Sequence, residues 1–588
     1  MSFEKKVLMA GLFLAMACLP LALLAKEKCG HKAKPGYVAG DFHNHTAFTD
    51  GSSSVDRITD NAVGTFGLGW FIQSGHGGGW SRDGRYDDFN YDCGADGEGQ
   101  NWQDSGVLIK GDYAGTGYCS KQNMWRWQSL KEYAYPAINA KDAEYANVPI
   151  IQGYEFEVPG HEHCSHSNIA GQFDAGNADA LAQFEYLFNY TDGDMTGGLA
   201  EGWAGKVPNI SDGPGAGYIM HDKAVAAVEW LQANYPKTSY VVYAHIERKG
   251  SFNPDKAYNT GYNVEHFRDF NNAGPDVAFG WEGEPGHQAS GSRGGFGSSA
   301  FGGTYGGVGY YSATIGNMWD ALLGEGRNWW YFGSSDYHNR GMFLPTDVES
   351  TDDFWPGEFQ KTYIYVRNSE DPSPQDVIDG IHSGNAYVVQ GDLIDDLEFT
   401  AQFRGKTATM GQTLRVKPGK MVQLVIRVRD PRGSNNCPYN FNNPSLVQVG
   451  IHQPINKPVL DHIDMIAGDV TGKIDPADDA YTDPTNPSAQ VIARFHRHGG
   501  RNKDGYMTYV YTFKANKSMY FRLRGTNMPV GTPNETDMDG NPLADSMADN
   551  IGCVDCPAHC NGVLNYDVEA WSDLWFTSNP IFVMVDEN

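Results

Sequence analysis

The chain has 588 residues, 40% of them hydrophobic and 13% aromatic, which is enough apolar surface for several domains and too much for a disordered protein. Lys and Arg number 44 against 72 Asp and Glu, and the formal charge of −28 repels a nucleic-acid backbone, so no nucleic acid is expected as a stable partner. The 71 glycines follow no period and only one long apolar run occurs, which excludes a collagen, a coiled coil and a multi-span membrane protein.

That run opens the chain. Lys5 and Lys6 precede an apolar stretch from Val7 to Ala25, so residues 1–25 read as a secretory signal peptide, with an uncleaved N-terminal anchor as the alternative. The expected location is secreted or periplasmic. Of nine cysteines, Cys18 lies in the signal. The others, Cys29, Cys93, Cys119, Cys164, Cys437, Cys553, Cys556 and Cys560, are expected as disulfides in an oxidising compartment. Cys553, Cys556, His559 and Cys560 also have the spacing of a zinc knot.

Residues 37–392 repeat one pattern, in which a short β-rich run leads straight into a residue able to bind metal. Tyr37–Phe42 leads to His43, Leu68–Ile72 to His76, and Val148–Gly153 to Glu155. Ser239–Ala244 leads to His245, Val277–Trp281 to Glu282 and later His287, and Trp329–Gly333 to Asp336 and His338. Helical periodicity from Ala224 to Leu231 and from Pro374 to Ile381 interleaves with these runs. Strands alternating with helices predict a largely parallel α/β sheet, and reactive groups at many strand ends predict a barrel with its site on that face. Long insertions at 77–125 and 285–312 are expected over the mouth of the site. From 393 to 588 alternating β patterns, such as Met421–Val428 and Tyr506–Phe513, predict an antiparallel β-sandwich-like domain. Asp537-x-Asp539-Gly540-Asn541 hints at a calcium loop but lacks the remaining ligand positions.

The chemistry centres on Asp41-Phe42-His43-Asn44-His45 and Asp50. Residues two apart in extended backbone face one side, so His43 and His45 can grip one cation; Asp336 with His338 and Glu155 with Glu157 repeat the spacing. Neutral imidazoles and carboxylates are ligands for zinc, manganese and iron. It is the joint set, with His76 and His245 at strand ends, that carries the argument.

Five ordered fragments, HNHTAFTDG at 43–51, FIQSGH at 71–76, GYEFEV at 153–158, YAHIE at 243–247 and GSSDYH at 333–338, resemble the polymerase and histidinol phosphatase (PHP) superfamily. The resemblance spans residues 37–392 and implies a distorted (β/α)7 barrel, here followed by the β-sandwich-like domain, with two or three divalent ions (Zn, Mn or Fe). It implies a first ion on His43, His45, Glu155 and Asp336, and a second reached by Glu155 and held by His166 and His245. A third would be held by His76, His338 and Asp50. Gln73-Ser74-Gly75 before His76 and Ile246-Glu247-Arg248 after His245 depart from the family's usual Thr-Asp and Pro, which bears on groups around the ligands. Among His161, His163 and His166, His166 is chosen because His-x-Asn fits the motif best, with His163 the runner-up.

The expected function is a secreted metal-dependent phosphoesterase that hydrolyses a small phosphomonoester or phosphodiester through a metal-bridging hydroxide. Glu155 and Asp336 hold the ions, His287 or His76 protonates the leaving group, and Arg248, Lys249 or Arg340 clamps a substrate phosphate. The alternatives are a metal-dependent hydrolase of a non-phosphate bond and a non-catalytic metal- or carbohydrate-binding protein. Trp70, Trp80, Trp102, Trp125, Trp127 and Trp281 are near these motifs, either as stacking platforms or as core.

Overall fold

The computed structural model describes residues 34–78, 80–95, 97, 99–111, 119–290, 293–294, 301–340, 353–497, 505–564 and 566–586. The signal segment and Cys29 lie outside them. Among the described residues no helix is long and apolar enough to cross a membrane.

The fold is mixed α/β, with one large mixed sheet and a separate antiparallel sheet. The first nine strands are β1 Gly36–Asp41, β2 Trp70–Gln73, β3 Ile150–Glu157, β4 His163–Asn168, β5 Ser239–Tyr243, β6 Ala278–Glu284, β7 Trp330–Gly333, β8 Gln360–Val366 and β9 Ala386–Gln390. All six apolar runs read from the sequence form strands. β4 is the addition: its polar His-Cys-Ser-His-Ser-Asn sequence hides it, yet it pairs antiparallel with both β3 and β5. β1–β2–β3 and β5–β6–β7 are parallel sets, and β8 runs antiparallel to β1.

Ladder pairing leaves β7 at the end of the sheet order, so it does not by itself close a ring. Just past the strand ends, however, β7 and β1 meet: the Asp336 N–H donates to His43 O at 2.9 Å, and the His45 N–H donates to Tyr337 O at 2.6 Å. His43, His45, Asp336 and His338, four of the residues predicted to bind metal, sit on those two extensions.

Helices cover the sheet, and two of them span the periodic stretches at Ala224–Leu231 and Pro374–Ile381. Among them are α1 Asp179–Phe188, α2 Ala216–Asn234, α3 Val264–Ala273, α4 Met318–Gly324 and α5 Pro374–Ser383. In α5, Ser373 and Asp376 cap each other, Val377, Ile378 and Ile381 are buried, and Gly384 at φ 63° ends the helix where a side chain would be strained. The core beneath is dense in rings: Trp70, Trp281, Trp319, Trp329 and Trp330 are at most 1% exposed. Trp102 and Trp127 are equally buried, so these, with Trp70 and Trp281, are packing groups and not platforms for a substrate.

The remaining strands are β10 Asp396–Phe403, β11 Lys406–Thr409, β12 Thr413–Val416, β13 Lys420–Arg429, β14 His462–Asp469, β15 Gln490–His496, β16 Met507–Ala515, β17 Met519–Thr526, β18 Trp575–Ser578 and β19 Ile581–Val585. They do not form two sheets of their own. β11–β10–β13–β16 make the separate antiparallel sheet, while β18 pairs with β9 and so joins β12, β14, β15, β17 and β19 to the large sheet. The two halves of the chain therefore share one sheet.

Buried ion pairs fasten this junction. Asp320 on α4 accepts both Nε and Nη2 of Arg522 on β17 at 2.9 Å, and the Tyr520 hydroxyl at 2.9 Å. Replacing Asp320 by Ala leaves the Arg522 guanidinium buried and unmatched, and is expected to cost about 3–5 kcal/mol in denaturant unfolding. Arg293, from the second insertion, likewise reaches Asp573 near the C terminus, and Thr304 donates to Asp545. Of the cysteines, Cys93 with Cys119 and Cys553 with Cys556 are paired as disulfides. Cys164 is instead a buried core thiol.

Candidate metal centre

The site is assembled where strand ends from both parallel sets converge. Asp41, the last residue of β1, is the organiser of the first approach. Its Oδ1 accepts the His43 N–H at 3.2 Å and the Asn44 side-chain amide at 3.1 Å, and its Oδ2 accepts the Ser335 N–H at 2.8 Å. One carboxylate thus joins the loop that carries His43 and His45 to the loop that carries Asp336. The histidine pair stands just beyond the strand proper, but the extended spacing still aims both rings inward, with their Nε2 atoms 3.3 Å apart.

Glu155 on β3 is the centre of the cluster. Its Oε1 lies 3.3 Å from His43 Nε2, 2.7 Å from His163 Nδ1 and 3.4 Å from His245 Nε2. Its Oε2 lies 3.3 Å from His45 Nε2 and 3.0 Å from His76 Nδ1. Asp336 divides its oxygens in the same way. Oδ1 is 3.2 Å from His43 and 3.0 Å from His45, while Oδ2 is 2.8 Å from His245 and 3.0 Å from His287. Asp50 closes the outer edge, at 2.9 Å from His45 Nδ1, 3.4 Å from His76 and 3.5 Å from His338. His43, His45, Glu155 and Asp336 are buried, whereas the Asp50 side chain is 26% and that of His338 20% exposed. The cluster therefore has a closed floor and an open rim.

His163 takes the place assigned to His166. The β3–β4 register puts Glu157 opposite His163 and Glu155 opposite Ser165, so these four share one face. His166 pairs with Tyr154 on the other face, where its Nδ1 donates to Tyr240 O at 2.7 Å and its ring packs on Phe184. His161 is fully buried, and Cys164, opposite Phe156, is buried on the outer face of the pair. The other predicted ligands, His43, His45, Asp50, His76, Glu155, His245, Asp336 and His338, are brought together.

Three participants not assigned from sequence support them. Glu282 accepts from His43 Nδ1 at 3.0 Å and from Ser165 at 2.8 Å. Asp353 accepts the His287 ring on one oxygen and the His338 and Asn339 N–H groups on the other. Tyr258 contacts His163 Nε2. Of these only Glu282 was visible as a strand-end carboxylate.

His287 faces Asp336 directly. Arg248 borders the cluster and its guanidinium is held by Glu162; Arg340 is engaged with Glu358 at 2.8 Å. Lys249 is exposed. Arg126 donates to the His76 carbonyl at 3.0 Å and pairs with Glu157, so the residue that follows the first insertion buttresses the site. The backbone is strained at the same place, since His245, His287 and Asp336 adopt φ of 45°, 56° and 44°. Left-handed conformations in bulky residues persist only where surroundings impose them. Gly286 permits the crossing, because a Cβ there would meet the Asp336 Cβ at 2.1 Å.

The donor set passes a chemical test for a cation. Glu282 can only accept, so His43 Nδ1 carries the proton and Nε2 presents a lone pair; Asp50 fixes His45 likewise. Two bare nitrogens then face each other and the carboxylate oxygens of Glu155 and Asp336. Carboxylate-oriented imidazoles with convergent lone pairs are the arrangement that divalent ions use. Several triplets keep their ligand atoms within 4.8 Å of one another, among them His43–His45–Glu155, His43–His245–Asp336, His45–Asp50–His76 and His45–Asp336–His338. These residues fit divalent ions.

Without a cation the charges settle by proton transfer. Burial lowers the His45 ring, but the Asp50 and Asp336 carboxylates outweigh it and raise the ring to about 10. His287 is raised to about 10 by Asp353 and Asp336, also against burial. Burial raises Glu155 and Asp336, yet the surrounding imidazoles hold both well below the ordinary carboxylate range. A ligating nitrogen must be bare, so an ion displaces the proton that the His45 ring still carries at neutral pH. Apparent affinity is therefore expected to rise with pH from neutral towards 10, by about tenfold per pH unit for each proton displaced. Calorimetry of ion binding in buffers of different protonation enthalpy measures the protons released. Zero release at pH 7.5 would contradict this assignment.

No protein-family model, curated protein or solved structure matches this chain.

Proposed function

We propose that the chain is a metal-dependent hydrolase that acts on phosphate esters, with a PHP-like barrel carrying two or three divalent ions and a β-rich C-terminal half. The observation that carries this reading is the division of Glu155 and Asp336: each presents its two oxygens to different imidazoles, as residues that span neighbouring cations do. Ions held there supply Lewis acidity and a nucleophile competent at neutral pH.

The protein's own groups divide the remaining work. Glu282 and Asp50 fix which nitrogen of His43 and His45 is bare, and Asp353 orients the His287 ring through its Nδ1. A substrate enters across the rim formed by Asp50, His76 and His338, the least buried members of the cluster. His287, paired with Asp353 and facing Asp336, is placed to hold a proton for a leaving group. Arg248, steadied by Glu162, supplies positive charge beside His245 for an anionic substrate. The dense burial of the floor keeps water out of the interior and strengthens these interactions. Export from the cytoplasm belongs to the same proposal and rests on the apolar run from Val7 to Ala25.

The test is turnover of the purified full chain after chelation, with zinc, manganese or iron(II) restored one at a time. Aryl phosphate monoesters and diesters are offered beside the matching sulfate and carboxylate esters. Hydrolysis of a phosphate ester that is lost on chelation and regained with metal is expected. Turnover confined to the other esters, or none on any, would overturn the substrate class.

A further inference from the structure

We infer that a second metal site, separate from the Glu155 cluster, is formed by His161, His221 and His266, and that it takes a first-row transition ion with a preference for nitrogen ligands, zinc(II) being the probe. The three come from different elements: His161 from the turn between β3 and β4, His221 from α2 and His266 from α3. Their ligand atoms lie within 4.8 Å of one another, and all three rings are buried. The ring centroids stand 5.0, 4.6 and 4.7 Å apart, close to an equilateral triangle. Among the described residues no hydrogen bond or ring contact ties this trio to the cluster on Glu155.

The hydrogen bonds supply a second, independent reason. His161 Nδ1 lies 3.1 Å from the Gly261 carbonyl, which only accepts, so that nitrogen carries the proton and Nε2 is bare. His221 Nε2 lies 3.3 Å from the Asp269 carboxylate, which fixes its proton there and leaves Nδ1 bare. The two bare nitrogens face each other at 2.8 Å. Two lone pairs at that distance repel unless a proton or a metal ion lies between them. A backbone carbonyl behind one imidazole and a carboxylate behind the other are the outer partners that orient histidines on a metal. The Asp269 carboxylate is itself steadied by the Tyr481 hydroxyl at 2.7 Å.

The walls are aromatic. Tyr262 stacks on His161 at 4.6 Å, Phe252 lies 4.4 Å from His266, and Phe270 lies 5.1 Å from His221. Water has little access to relieve the repulsion. His266 is the third and weaker donor. Its Nδ1 accepts the Asn263 N–H at 3.0 Å in the cap of α3, and ligation through Nε2 would surrender that contact. An ion here would pin α2 and α3 to the turn that runs into His163, and so hold that ligand in place without touching the substrate.

Two measurements on the full chain decide the matter. Wild-type crystals in excess zinc, measured at the zinc absorption edge, are expected to show an anomalous peak among the three imidazoles. Zinc titration of the Glu155→Gln chain after chelation is expected to retain a site that disappears when His221→Ala is added and weakens with His266→Ala. A map without that peak, or undiminished zinc uptake with His221→Ala, would mean that only a proton bridges the pair and would overturn the proposal. The crystal measurement needs no variant, so a misfolded His221→Ala chain does not spare it.

Discussion

Glu155→Gln is expected to lower turnover on an aryl phosphate by about 10³-fold or more, the scale on which a preorganised electrostatic site loses a principal group. The change is isosteric and the residue is buried, so the fold should survive it. What disappears is the negative charge that both oxygens present to five imidazoles, His43, His163 and His245 on one side and His45 and His76 on the other. The same variant should hold fewer ions than wild type at equal free metal. A Glu155→Gln chain with full metal content and turnover within about threefold of wild type would remove the carboxylate from the centre of the account.

The second large effect separates two histidines three residues apart. His163→Ala is expected to lose metal and to lower turnover by about 10²-fold or more, because it removes a group in contact with Glu155. His166→Ala opens space against Phe184 and Tyr154 and is expected to cost about 1–3 kcal/mol of stability while metal content is kept. Steady-state kinetics and elemental analysis of both variants, set beside their denaturation curves, give the comparison. If His166→Ala emptied the site and His163→Ala did not, the face assignment of β4 would be wrong.

That exchange shows where sequence ceases to determine the site. The strand-end rule located His43, His76, Glu155, His245 and Asp336, because each follows an apolar run whose burial is legible from composition. β4 offers no such run, and its hydrogen-bond register depends on the turn at Pro159-Gly160. Once the pairing of Glu157 with His163 is known, parity selects His163, and the turn itself was visible as a Pro-Gly dipeptide. Asp353 is harder to find, because its contact with His287 spans 66 positions and no local pattern marks it. The buried trio of His161, His221 and His266 is equally long-range, joining a turn and two helices. In the C-terminal half, alternation identified β13 and β16, but β18 joins the large sheet through β9 by a pairing that periodicity cannot express.

The most direct test of the central claim is a crystal structure of the wild-type chain at saturating zinc or manganese, with anomalous data collected at the metal edge. The account predicts at least two peaks among His43, His45, Glu155, His163, His245 and Asp336, with density from both oxygens of Glu155 reaching towards different ions. Saturated crystals with no anomalous density at these side chains would contradict it.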